Sequence, residues 1–62
     1  MSFHEAIKAL MQGKWVARPH WTKAIRLKHN RLMNDRGSEW VWANFFSLSE
    51  CDDWEIWETG RK

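Results

Sequence analysis

Apolar positions recur along this chain with two different periods, and the change falls near Gly13. In the opening segment Phe3, Ala6, Ile7 and Leu10 stand at i, i+3, i+4 and i+7, the spacing of one helical face. Ser2 and Glu5 make a capping box: the hydroxyl can accept from the Glu5 backbone N–H, and the carboxylate can reach back to Ser2. Gly13 supplies a left-handed stop, and Lys8 and Lys14 suit the negative end of the helix. The pattern predicts a helix over residues 3–12.

Beyond Gly13 the alternation shortens to two. Lys14–Arg18 alternates weakly and reads as a strand that Pro19 ends. Ala24–Lys28 alternates cleanly, with Ile25 and Leu27 on one face and Arg26 and Lys28 on the other. Residues 34–37, Asn-Asp-Arg-Gly, have turn chemistry. Glu39–Ala43 reads as the next strand, with Trp40 and Trp42 on one face and Val41 and Ala43 on the other. Residues 47–53 are polar and turn-like, and Trp54–Trp57 closes the chain as a strand with Trp54 and Ile56 on one face. No repeat, linker or low-complexity tract interrupts residues 1–62. The expectation is a single α+β domain: one N-terminal helix packed on a small twisted antiparallel sheet of about four strands.

Composition sharpens this picture. A chain of 62 residues has a thin core, burying only about 60% of its unfolded surface. The usual staples are missing. Cys51 is the only cysteine, so no internal disulfide can form. His4, His20, His29 and Cys51 are scattered without metal-ligand spacing, so no metal or other cofactor is expected. What remains is six tryptophans and self-association, and a homo-oligomer is the expectation. The net charge is +2, unevenly placed: Lys8, Lys14, Arg18, Lys23, Arg26, Lys28, Arg31 and Arg36 precede most of the acids, which gather from Glu39 to Glu58. Such asymmetry marks either an anion-binding half or, for most of these residues, pairing between strands or subunits. No apolar block suggests a secretory leader, no run reaches membrane-spanning length, and a lone thiol suits a reducing compartment. A cytoplasmic protein without a membrane partner is expected.

One helix-covered sheet face cannot bury six indoles. Trp54 and Ile56 suit the helix face, and Val16 fits there better than Trp15, which turns Trp15 outward. Trp40 shares a face with Trp42, and Trp57 lies opposite Trp54. Trp15, Trp40 and Trp57 therefore read as an oligomer interface. Trp21 differs, because it sits in a loop after Pro19 and His20. There it either stacks on a base while Arg18 and Lys23 meet phosphate, or folds back to cap the core. Catalysis finds little support. Cys51 is flanked by Glu50 and Asp52, which disfavour a thiolate. Asp52 and Asp53 are adjacent, so in a strand they cannot act as a pair. The chain reads as a non-enzyme with no catalytic residues.

The segment SFHEAIKALMQGKWVARPHW and the distal DDWEI resemble the Thoeris anti-defence family of the second type, small phage proteins. Phe3, Glu5, Ala6, Leu10, Gly13, Lys14, Val16, Arg18 and Trp21 follow that family's opening pattern, and Asp52, Asp53, Trp54, Glu55 and Ile56 its ending. Thr22-Lys23 replaces the family's common Asn-Gly, and Asn44 opens a compact loop. The resemblance implies a helix on an antiparallel sheet, assembled as dimers or tetramers with ligand pockets between subunits. It implies a sponge that binds a cyclic nucleotide immune signal, a glycocyclic ADP-ribose or a cyclic dinucleotide, without cleaving it, in the host cytoplasm. Trp21 would then be the stacking aromatic, with Arg18 near the phosphates and Asp53 ordering the final turn. His20, Lys23, Trp42 and Asn44 complete the candidate ligand set. Two other readings use the same features. One is a module that occludes a host protein with an aromatic face. The other is a nucleic-acid binder, against which stand the modest charge and the acidic C-terminal third.

Overall fold

The computed structural model describes residues 1–61. Helix α1 spans Phe3–Met11 and carries the complete capping box, with Glu5 N donating to Ser2 Oγ and Ser2 N to Glu5 Oε1, each at 3.2 Å. Its far end closes on Gly13 at φ +80°. Gly13 N donates to Leu10 O and Lys14 N to Ala9 O, the paired reverse bonds of a glycine-stopped helix.

Five antiparallel strands follow: β1 Trp15–Ala17, β2 Ile25–Lys28, β3 Arg31–Asn34, β4 Glu39–Trp40 and β5 Glu55–Trp57. Their spatial order is β4-β3-β2-β1-β5, so the last strand returns to lie beside the first. A short helix α2, Trp42–Phe46, leaves the end of β4. The helix on an antiparallel sheet agrees with the expected α+β class. The sheet has one strand more than expected, because Arg31–Asn34 pairs with β2 in a two-residue hairpin. His29 and Asn30 both hold positive φ, 51° and 63°. That is the turn whose twist matches adjoining strands, and asparagine tolerates it at low cost.

The core lies between α1, α2 and the inner sheet face. It holds Ala6, Ala9, Leu10, Val16, Ile25, Leu32, Phe45 and Trp54, with Phe3, Ile7, Trp21, Leu27 and Trp40 packed around it. Trp54 is 1% exposed and touches Phe3, Phe45 and Trp21 at ring-centroid distances of 6.2, 5.5 and 5.4 Å. Backbone bonds clamp it: Trp54 N donates to Met1 O at 3.2 Å, and the Met1 amino group to Trp54 O at 2.7 Å.

Three expectations need correction. The strand expected over Glu39–Ala43 stops at Trp40, and helix α2 begins at Trp42. Trp42, Phe45 and Phe46 are spaced for one helical side, and burying Phe45 completely outweighs prolonging an edge strand. Trp40 does not face outward with Trp15. It pairs with Leu32 on the inner face and lies 5.1 Å from Trp21. Ile56, expected under the helix with Trp54, is 48% exposed on edge strand β5. Trp54 itself precedes β5, which releases it from strand alternation. The Val16–Trp15 division does hold: Val16 is fully buried, and the Trp15 ring lies outside beneath the Arg26 guanidinium, 4.6 Å from its centroid.

Candidate functional site

The loop between β1 and β2 carries most of the candidate ligand residues, and several bonds shape it. Trp21 N donates to Arg18 O at 3.0 Å, which turns the chain tightly around Pro19 and His20. Lys23 bridges to Arg61, and Ala24 N donates to Gly60 O at 2.7 Å, so the C-terminal segment straps the loop's far end. At its near end Arg18 Nε and Nη2 grip the two Asp53 carboxylate oxygens at 2.8 and 3.1 Å. This fork holds the Asp53 carboxyl below its usual value, chiefly through the hydrogen bond, and raises the Arg18 guanidinium in return. Asp53 thus orders the turn before Trp54 by binding Arg18, and Arg18 reaches any ligand only with the donors Asp53 leaves over.

A surface cleft of about 360 Å³ opens beside this loop, lined by His20, Trp21, Thr22, Lys23, Asn34 and Trp40. The Trp21 and Trp40 rings meet at 39°, while Trp21 stands at 83°, edge-on, to Trp54. Trp21 folds back to cap the core through Trp54, and it also lines the cleft with Trp40. Asn34 is fixed because its Oδ1 accepts from Arg36 N at 2.9 Å and Ser38 N at 3.0 Å. That leaves its side-chain amide as a donor beside the cleft.

Of the expected ligand set, the structure brings Trp21, His20 and Lys23 to this cleft. Arg18 and Asp53 brace the loop from outside the lining. Trp42 and Asn44 stand on α2, where Trp42 Nε1 donates to Asn30 O at 3.3 Å and its ring stacks on Phe46 at 5.8 Å. Among the expected interface residues, Trp15 and Trp57 are register partners on the outer face, and Trp57 Nε1 donates to Glu55 Oε1 at 2.9 Å. Sequence reasoning missed Trp40 and Asn34 as cleft residues. The available signals were two turns: His29-Asn30 sets the β2–β3 register that places Asn34, and the turn over residues 34–37 leads into the β3–β4 register that places Trp40.

The cleft offers indole faces, one ammonium, one imidazole and one amide. Among the described residues no cluster of His, Cys, Asp and Glu is placed to hold a metal ion. No helix among them is long and apolar enough to cross a membrane. No family model, curated protein or solved structure matches the chain.

Proposed function

We propose that this protein is a non-catalytic sponge for a cyclic nucleotide immune signal, a glycocyclic ADP-ribose or a cyclic dinucleotide, of the phage anti-defence kind that its sequence resembles. The observation that carries this reading is the tryptophan-walled cleft with Lys23 and His20 at its side. An indole face supplies stacking worth about 1–3 kcal/mol per base, and the ammonium and the Asn34 amide supply phosphate and base-edge donors. The volume of about 360 Å³ is small, near the lower end of ligand sites, which run from about 300 to 1,000 Å³. A second copy set against the open side would enlarge and close it, which fits a homodimer or tetramer. Arg18 and Asp53 act here as the brace that keeps Trp21 in place.

Isothermal titration with cyclic ADP-ribose isomers and cyclic dinucleotides tests this reading. The expected result is saturable binding that Trp21→Ala abolishes, with the ligand recovered intact. Unchanged binding by a folded Trp21→Ala variant would remove the cleft from the account.

A second reading rests on α2. Val41, Trp42 and Phe46 are 61%, 39% and 52% exposed and form an uncharged aromatic corner. Such a corner suits a protein contact, and silence of the cleft toward nucleotides would favour occlusion of a host protein.

A further inference from the structure

The opposite face of the sheet carries a second cleft, of about 340 Å³, which the proposed function does not use. Strand alternation sends Arg26 and Lys28 to this outer face while Ile25 and Leu27 go inward. Trp15, Met33, Asp35, Arg36 and Gly37 also line it, as does Asn34, which borders both clefts. The Arg26 guanidinium lies 4.6 Å over the Trp15 ring, a cation–π contact that holds its charge at this face. Asp35 is the one carboxylate in the lining; Arg61 pairs with its Oδ2 at 2.6 Å, and its Oδ1 is buried without a partner. Among the described residues no carboxylate lies within salt-bridge distance of Arg26, Lys28 or Arg36. Arg31, the register partner of Lys28, adds a fourth cation beside them.

Three cations around one small hollow repel one another unless an anion sits between them. The surroundings limit the shape of that anion. Glu39 is the register partner of Met33 toward one sheet edge, and Glu55 that of Ala17 toward the other. An extended nucleic-acid backbone crossing the sheet would meet both acids, whereas a compact anion over Arg26, Lys28 and Arg36 meets neither.

We infer that this outer-face cleft is a second binding site, built for a compact phosphate-rich anion: a pyrophosphate group, free or carried on a nucleotide. Arg26, held against Trp15, supplies one cationic contact, and Lys28 and Arg36 neutralise the remaining charge.

The test is isothermal titration of the whole protein with inorganic pyrophosphate and, separately, ADP, alongside amide chemical-shift mapping. Saturable binding is expected, with shifts at Lys28, Arg36 and Gly37. Each of Lys28→Glu and Arg36→Glu should weaken it by about tenfold or more, since a charge-assisted hydrogen bond is lost. Both residues are exposed, so the variants keep the fold, which circular dichroism checks. Lys23→Ala and Trp21→Ala lie in the other cleft and should leave the affinity unchanged, so failure here and failure of the sponge reading are separable. Tighter binding of ADP assigns the site to a nucleotide, and equal affinities assign it to the pyrophosphate group alone. Absence of binding by either anion overturns the site, as does loss of affinity in Lys23→Ala. Tighter binding of an oligothymidylate, with shifts spread along β2 and β3, would replace it with a nucleic-acid path.

Discussion

Removing Trp54 tests the division of the aromatics between core and surface. The side chain is 1% exposed and touches three other rings. A buried indole removes on the order of 150–250 Å² from water, which at about 25 cal/mol per Å² corresponds to roughly 4–6 kcal/mol as an upper bound. Two adjustments act in opposite directions. Truncation leaves a cavity, which adds to the loss. Trp54 Nε1, however, is buried without a hydrogen-bond partner, and deleting such an orphaned donor returns about 1–3 kcal/mol. The net expectation for Trp54→Ala is a loss of about 3–5 kcal/mol. A domain of this size holds about 3–9 kcal/mol in total, so the variant should lose half or more of its stability. Urea titration followed by far-UV circular dichroism, at matched protein concentration, reads this directly. Ile56→Ala on the half-exposed edge strand is the internal control and should cost less than half as much. A Trp54→Ala variant within about 1 kcal/mol of the parent would refute the packing argument.

The hairpin, the C-terminal strap and the Arg18–Asp53 brace give further predictions. Asn30→Gly should stabilise the His29-Asn30 turn by a few tenths of a kcal/mol up to about 1, whereas Asn30→Val should cost about 1–2; thermal melts of the pair distinguish them. Gly60→Ala would drive a methyl group into Asp35 Cβ and to 3.0 Å from the Trp15 ring, so overpacking should cost about 1–3 kcal/mol and disturb Arg26. Asp53 is depressed below its ordinary 3.8 by Arg18, so its stabilising contribution is present above that value and fades as pH falls through the folded-state midpoint. Carboxyl titration by NMR should find a higher Asp53 midpoint in Arg18→Ala than in the parent, and equal midpoints would dissolve the brace.

The elements legible in the sequence were those fixed by local chemistry. The Ser2–Glu5 box and Gly13 bounded α1 almost to the residue, and the Ile25–Lys28 alternation gave β2 with its faces correctly assigned. The Trp15–Val16 division followed from which shape packs under a helix. Elements decided by tertiary contacts were harder to read. Trp40 to Ala43 alternates like a strand, and only the pocket that buries Phe45 turns it into a helix. Strand β3 is four residues long and polar at both ends, so its existence depends on the two left-handed residues before it. The candidate site was half visible for the same reason. Trp21, His20 and Lys23 are neighbours in sequence, whereas Trp40 and Asn34 reach the cleft only through hairpin registers. Trp42 and Asn44, implied by resemblance, follow the helix that replaced the expected strand and so leave the cleft.

The most direct test of the sponge is a thermal-shift panel on the purified protein, holding cyclic ADP-ribose isomers, cyclic dinucleotides, plain mononucleotides and a short single-stranded DNA. A ligand at about 100 times its Kd adds roughly 2.7 kcal/mol, which in a domain this small should raise Tm by about 10 °C or more. The account predicts that rise with a cyclic nucleotide alone, its loss in Trp21→Ala, and chemically unchanged ligand on release. No shift across the cyclic nucleotides, or a ligand released in cleaved form, would contradict it.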